Sequence, residues 1–298
     1  NLYTSISWSS TVPFATINGI SVNYQIQGQG PALLMFAPGG WRSVMSRWTA
    51  AGGKEAWREM DGLATLSKHF TTIAYDRRES GLSGGRIEPL SWDLYVKEAK
   101  AMLDLAGFES AYILGCCMGA SLATAFATRH PQSCKGLLLH WPVGGFLWQR
   151  KGTTFFQRHI DFVKTHGMQA VIDRAPKGEN FWMDPEIGPW GSPSAHYPEV
   201  AQSLLEMNND EYINICEQSR DNIFTDTMPC GATGDQLMGI QTPSLIMSGA
   251  DTRHTRSTAW ALKELIPNSE LWPVFPPDQT GENTLEQVLN FKAKLENH

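Results

Sequence analysis

The feature that most constrains the fold of this 298-residue chain is a sharp turn carrying two cysteines. The segment Gly115-Cys116-Cys117-Met118-Gly119 lies between a short apolar run and a stretch with helical apolar spacing. It has the spacing of a G-x-S-x-G nucleophile elbow, in which small residues on either side let the backbone turn beneath the nucleophile. Cys117 replaces the serine, and its place at a helix N-terminus favours the thiolate. A buried structural Cys117 is the alternative, and Cys116 is predicted to face the core.

Short apolar strands alternate with helical segments on both sides of this turn. An Asn-Gly pair within residues 17–20 is typical of a tight hairpin. Strand-length apolar runs follow at 32–36, 70–75, 111–114, 135–140, 244–248 and 270–274. Helical spacing is found at 56–64, 92–106 (with Ser91 as N-cap), 118–129, 257–266 and 284–295. This order predicts an α/β protein with a mostly parallel sheet covered by helices on both faces.

The alternation stops between residues 143 and 235. This stretch holds several prolines, no clear strand and a group of aromatic residues, namely Trp148, Phe155, Phe156, Trp182 and Trp190. We therefore predict a helical cap inserted at 143–235 into a core domain formed by residues 1–142 and 236–298.

Composition excludes several classes of protein. The chain has 30 acidic and 24 basic residues and a net charge of −6, which argues against a nucleic-acid partner. Five cysteines in a chain of this length do not indicate a disulfide framework. No run of about 18 apolar residues predicts a membrane span. Residues 1–14 lack the basic and apolar pattern of a secretory signal, so we expect a cytoplasmic protein without a membrane partner.

Cofactor and metal motifs are absent from the sequence. Gly28-Gln29-Gly30 precedes a strand rather than a helix and does not match a dinucleotide fingerprint. There is no C-x-x-C pair and no H-E-x-x-H segment. We expect no cofactor and no metal, and a small apolar or aromatic molecule as the binding partner. A homodimer is left open.

Two further motifs carry a family resemblance. Ala37-Pro38-Gly39-Gly40-Trp41 follows one predicted strand, and a D-x-R-x-x-G-x-S segment at 76–83 follows the next. Together with the elbow, they make the chain resemble the α/β-hydrolase superfamily over nearly its full length, in a branch with a cysteine nucleophile. The resemblance implies a central sheet with an inserted cap, and an oxyanion hole formed by the backbone N–H groups of Gly40 and Met118. Within 76–83, the charged residues are interpreted as bracing loops.

The resemblance also implies a candidate catalytic acid, and it shows that the family's catalytic histidine is missing from its usual position. Asp251 follows the strand at 244–248, where the family carries its catalytic acid; capping the next helix is the alternative. The family's histidine belongs after the last strand, but residues 274–281 contain none, and Gln279 stands near the expected position. Glutamine cannot act as a general base. The usual triad is therefore incomplete in this sequence.

Two histidines can replace the missing base. His254 lies three residues after Asp251 on a loop expected to open onto the pocket, and His140 ends a strand on the same edge of the sheet. A third reading is that neither acts, since a thiolate needs less help than a hydroxyl. We prefer His254 and expect His69 and His130 on the far side of the sheet.

These residues predict a cysteine-dependent hydrolase of a small apolar or aromatic ester, lactone, thioester or activated C–C bond. Cys117, Asp251 and His254 are the predicted catalytic residues, and Trp41, His140 and Trp141 are predicted to line the substrate pocket. Two alternatives share the fold: a cofactor-free lyase or isomerase, and a non-catalytic protein that binds a small ligand.

Overall fold

The computed structural model describes residues 13–50, 56–177, 180–225 and 231–297. Some of the predictions concern residues outside these ranges. They are the predictions for residues 1–12, and those parts of the predicted core and cap that lie at 51–55, 178–179, 226–230 and 298. The strands are β1 (Phe14–Ile17), β2 (Ile20–Gln27), β3 (Ala32–Phe36), β4 (Thr71–Tyr75), β5 (Ala111–Cys116), β6 (Cys134–His140), β7 (Ser244–Met247) and β8 (Ser269–Leu271).

Eleven helices lie in the described part of the chain, along with short 3-10 turns. The helices are α1 (Ala56–Glu59), α2 (Gly62–Leu66), α3 (Trp92–Leu105), α4 (Met118–Arg129), α5 (Phe146–Arg174), α6 (Gly191–His196), α7 (Pro198–Glu206), α8 (Asn209–Ile223), α9 (Gly234–Met238), α10 (Arg256–Leu265) and α11 (Gly281–Glu296). The 3-10 turns are Met45–Trp48, Pro131–Ser133, Ala175–Lys177, Pro185–Ile187 and Pro276–Asp278.

The strands form one sheet in the order β1-β2-β4-β3-β5-β6-β7-β8. The β1–β2 and β2–β4 pairs are antiparallel and the other five pairs are parallel. The predicted hairpin turn is present, with positive φ at both Asn18 (49°) and Gly19 (80°), as a type I′ turn requires. The predicted α/β class and mostly parallel sheet are confirmed.

Helices cover the sheet on both faces. Along β3, Leu34 and Phe36 pack into one apolar cluster, whereas Leu33 and Met35 pack into a second cluster on the opposite face. All four side chains are almost fully buried. This explains why β3 is continuously apolar, since a strand with two covered faces has no solvent side.

Two predicted elements differ from the structure. The helix expected at 56–64 is divided into α1 and α2 at Asp61, which adopts a left-handed conformation (φ 47°) and accepts a hydrogen bond from Ala64 N at 3.2 Å. The last strand ends at Leu271 instead of continuing to residue 274. Pro273 lacks the N–H that a further ladder bond would need.

Between β6 and β7 the described residues form helices and no strand. The longest, α5, changes direction at Gly167, whose φ of 75° is non-helical. The domain boundaries at 143 and 235 stay a prediction. None of the helices described here has the length and apolar character to cross a membrane.

Candidate active site

The turn at Cys117 joins β5 to α4 and is strained. Cys117 has φ 57° and ψ −123°, a conformation that side-chain-bearing residues rarely adopt. A Cβ at Gly115 would lie 2.2 Å from Gly119 O, and one at Gly119 would lie 2.1 Å from Phe36 O. Both glycines are therefore required by close backbone approach, which is the physical basis of the G-x-C-x-G pattern.

The surroundings of Cys117 favour its thiolate. Burial alone would raise the pKa of the thiol. The positive charge of the nearby His254 and the backbone N–H groups of Gly39 and Met118 outweigh burial, so the pKa of Cys117 lies below its ordinary value. The glycine N–H that contacts Cys117 is that of Gly39, one residue before the predicted oxyanion donor Gly40. The carbonyl of Gly40 accepts a hydrogen bond from Arg77.

His254 and Asp251 form a hydrogen-bonded pair on the loop between β7 and α10. His254 Nδ1 lies 2.8 Å from Asp251 Oδ2, and Asp251 Oδ1 accepts hydrogen bonds from the backbone N–H groups of Arg253 (2.8 Å) and His254 (2.9 Å). Asp251 does not cap α10. That N-cap is Thr255, which accepts from Thr258 N. The three-residue spacing lets one carboxylate hold both the loop backbone and the imidazole.

Two anionic groups, Cys117 and Asp251, favour the protonated imidazolium form of His254. Burial would lower its pKa, but the Cys117 thiolate and the Asp251 carboxylate raise it to about 9. The pKa of Asp251 falls to about 2, because its hydrogen bonds to His254 and to the backbone outweigh partial burial. Nε2 of His254 is buried and forms no hydrogen bond with any described residue. With Nδ1 occupied by Asp251, Nε2 is the atom left to face Cys117.

His140 occupies a different environment. It is fully buried, its Nδ1 accepts a hydrogen bond from Trp57 Nε1 at 3.1 Å, and the same nitrogen lies 3.4 Å from Cys116 Sγ. Burial and the nearby charge of His254 lower its pKa to about 3. His140 is thus a neutral ring behind Cys116, and it does not line the cavity at Cys117.

Gln279 hydrogen-bonds to three separate segments at the position where the family resemblance leads us to expect histidine. Its Oε1 accepts from Trp141 Nε1 at 2.7 Å, and its Nε2 donates to the carbonyls of Ser248 (3.1 Å) and Val274 (3.2 Å). These bonds connect the turn after β6 with the loops after β7 and β8. Together the three bonds need a side chain that both donates and accepts, which suits the amide of glutamine.

Cys117 opens into a cavity of about 130 Å³. Its described lining consists of Pro38, Gly39, Gly40, Arg42, Arg47, Cys116, Cys117, Trp141, Trp148, Trp182, Arg253 and His254. Of the three residues predicted to line the pocket, Trp141 does so. Trp41 faces a neighbouring cavity of about 610 Å³, and it also stacks on Trp182 with the ring centroids 6.0 Å apart.

Sequence reasoning missed several lining residues. Trp148 and Trp182 were noted only as aromatic residues of the cap, and the three arginines were not singled out. Arg253 adjoins His254 in sequence, which is a local signal. Arg42 and Arg47 come from the segment after β3, and only the fold brings them to Cys117.

Comparison with known proteins supports the fold. The alpha/beta hydrolase fold family model matches residues 49–168. An enol-lactonase from Burkholderia xenovorans LB400 aligns with a TM-score of 0.59 and 18% identity, covering 94% of this chain and 100% of that one. A hydrolase from Pseudomonas aeruginosa PA01 aligns with a TM-score of 0.60 and 20% identity, covering 97% of this chain and 98% of that one.

Sequence relatives match part of the chain. A protein provisionally named carbamate hydrolase RutD, from Azorhizobium caulinodans, is 27% identical over 128 residues, which are 43% of this chain and 43% of that protein. The chain thus spans less than half the length of this curated relative. The strand order, the turn at Cys117, the family match and the two structural alignments agree, and the protein has the α/β-hydrolase fold.

Proposed function

We propose that this protein is a cysteine-dependent hydrolase that cleaves a small apolar or aromatic ester, lactone, thioester or activated C–C bond through an acyl-enzyme on Cys117. One observation carries the proposal: the imidazole of His254 is bound to Asp251 through Nδ1, and its charge is coupled to the Cys117 thiolate. A nucleophile, a base and an orienting acid in this order form the triad arrangement of acyl-transfer enzymes.

In the acylation step, the thiolate of Cys117 attacks the substrate carbonyl. A C–S bond forms and the carbonyl π electrons move to oxygen. The N–H of Met118, together with an N–H of the Gly39–Gly40 pair, would stabilise that oxyanion. The intermediate then collapses and expels the leaving group, which takes the proton of the His254 imidazolium.

In the deacylation step, the now neutral His254 removes a proton from water as the water oxygen attacks the thioester. A second oxyanion forms and collapses, the C–S bond breaks, and the thiolate is restored beside the imidazolium. Asp251 keeps Nδ1 protonated throughout, so that Nε2 is the nitrogen that exchanges protons.

The cavity and the comparisons support the substrate class. A volume of about 130 Å³ between Trp141, Trp148 and Trp182 suits a compact apolar or aromatic acyl group. The names of the enol-lactonase and of the carbamate hydrolase also describe enzymes that act on acyl compounds.

The test is intact-protein mass spectrometry after mixing with para-nitrophenyl acetate. We expect one acetyl adduct that forms and decays in the wild type, is absent in Cys117→Ala, and forms and decays as in the wild type in the control Cys134→Ala. Cys134 is a suitable control because burial raises the pKa of its thiol to about 12.

Other outcomes favour the alternatives. Substrate conversion without an adduct, and without uptake of labelled oxygen from solvent water, would indicate a lyase or isomerase. Tight binding of an apolar ligand, with no adduct and no conversion of any ester, would indicate a ligand-binding protein. Either result contradicts the proposed hydrolase.

A further inference from the structure

The cavity at Cys117 is rich in positive charge. Arg42, Arg47 and Arg253 line it, and its described lining includes no aspartate or glutamate. Lys151 of α5 is not part of this lining, but its Nζ lies over the lining residue Trp182 and is close enough to Cys117 for their charges to interact. The chain as a whole carries a net charge of −6, so this concentration of cations opposes the overall balance.

Three of these cations have no carboxylate partner. Arg47, Arg253 and Lys151 form no ion pair with any described carboxylate. Nε of Arg47 is buried and has no hydrogen-bond partner in the described part of the chain. A buried charged donor without a partner is costly, so an acceptor from a ligand would stabilise it.

Lys151 is held at the aromatic wall of the cavity. Its Nζ lies 5.1 Å from the ring centroids of both Phe155 and Trp182, within cation–π distance. Its pKa lies below the ordinary value because of burial and the repulsion of Arg253 and Arg42. The cations thus repel one another, and the Cys117 thiolate offsets this repulsion only in part, since the pKa of Lys151 still lies below its ordinary value.

We infer, on the basis of the proposed function, that the acyl group transferred to Cys117 carries a carboxylate, which binds Arg47, Arg253 and Lys151 while its apolar part contacts the cavity tryptophans. A carboxylate is the smallest organic anion that offers two oxygens to a guanidinium, and it fits a cavity of about 130 Å³. Opposite charge in such a cleft raises both the affinity and the encounter rate of an anionic substrate.

The test compares two esters that differ by one charge, mono-para-nitrophenyl adipate and para-nitrophenyl methyl adipate. We expect kcat/KM for the charged ester to exceed that for the neutral ester by about tenfold or more, as hydrogen bonds to a charged group imply. Because salt screens exposed charges, this preference should shrink as the NaCl concentration rises.

Single substitutions show which cations cause the preference for the charged ester. In each of Arg253→Gln, Arg47→Gln and Lys151→Gln, the ratio of the two kcat/KM values should fall several-fold, towards equal values for the two esters. Arg150→Gln is the matched control, since Arg150 adjoins Lys151 on α5 but is exposed and lies over Phe146, whereas Lys151 lies over the lining residue Trp182. The ratio should keep its wild-type value in that variant.

A binding measurement separates this inference from the proposed function. Quenching of tryptophan fluorescence in Cys117→Ala reports binding of either ester without turnover. Preference for the charged ester in binding, with no acyl adduct in the wild type, would support the anion site and contradict the hydrolase. Adduct formation with equal kcat/KM and equal binding for both esters would overturn the anion site and leave the hydrolase standing.

Discussion

Two buried histidines at the same edge of the sheet have pKa values that are shifted in opposite directions. His140 ends β6 and pairs in register with Met247, the last residue of β7, after which the loop carrying His254 begins. Both side chains are buried, with 0% exposure for His140 and 7% for His254. Yet the pKa of His140 falls to about 3, and that of His254 rises to about 9.

The difference between the two pKa values comes from the groups that contact each imidazole and not from burial. Burial lowers the pKa of both rings. His254 has a carboxylate on Nδ1 and interacts with the charge of the Cys117 thiolate, whereas His140 has the indole N–H of Trp57 and the thiol of Cys116. A buried imidazole thus becomes an acid–base group only where neighbouring anions offset its desolvation.

The largest expected effect separates the two histidines by activity. His254→Asn should lower kcat/KM for ester hydrolysis by about 10²- to 10⁴-fold, because the amide of asparagine has no basic nitrogen that could exchange a proton with Cys117 and the leaving group. His140→Asn should leave kcat/KM close to wild type, since the shorter amide can still accept the Trp57 hydrogen bond. Steady-state kinetics of both variants, normalised to folded protein, decides the matter. Equal losses in the two would remove the distinction.

Asp251→Asn tests the comparison of the two histidines more specifically, because it changes the partner of His254 and leaves His140 as it is. The amide cannot supply the charge that stabilises the imidazolium, so kcat should fall by about 10- to 100-fold, a loss limited by the partial exposure of Asp251. The thiolate of Cys117 should also appear at higher pH than in the wild type. Its ultraviolet absorbance, taken as a difference from Cys117→Ala, measures this shift. An unchanged titration would mean that Asp251 does not support the pair.

His140 should be visible in the pH dependence of stability. Its folded pKa is depressed to about 3 from an ordinary 6.5, so its unfolded form gains a proton first as the pH falls. The stability associated with the neutral ring is therefore complete above pH 6.5 and is lost below it, by about 1.4 kcal/mol per pH unit.

In His140→Asn this contribution is absent, so the difference in unfolding free energy between wild type and variant should change with that slope between about pH 6 and pH 4. Denaturant titrations at several pH values measure it. A difference that is independent of pH would show that His140 titrates normally in the folded protein.

The smallest expected effect concerns Gln279, at the position of the missing family histidine. Gln279→Ala removes the hydrogen bonds to Trp141 Nε1 and to the carbonyls of Ser248 and Val274. We expect a loss of about 1–3 kcal/mol in unfolding free energy and a higher KM, because Trp141 lines the cavity. Gln279→Glu, which keeps only the bond from Trp141, should lower stability while retaining more of the substrate affinity. Thermal unfolding and KM together test this, and a loss of kcat alone would instead indicate a catalytic Gln279.

Much of the fold was predictable because its signals are local. The Asn-Gly hairpin, the Ser91 cap and the glycines at 115 and 119 each follow from backbone conformations that few residues adopt. Apolar periodicity set the strand and helix order. The break at Asp61 was missed because a left-handed residue inside a periodic segment leaves no mark on that periodicity.

The site was less predictable because its parts come from separate loops. The sequence by itself determined the elbow at Cys117 and a pair, Asp251 and His254, whose three-residue spacing lets one carboxylate bind the ring. Only the tertiary structure decided that His254 lines the same cavity as Cys117, that His140 is packed against Cys116, and that Gln279 hydrogen-bonds to Trp141. The same folding brought Arg47, Lys151 and Arg253 around one cavity. These outcomes depend on distances between chain segments far apart in sequence, which spacing along the chain cannot specify.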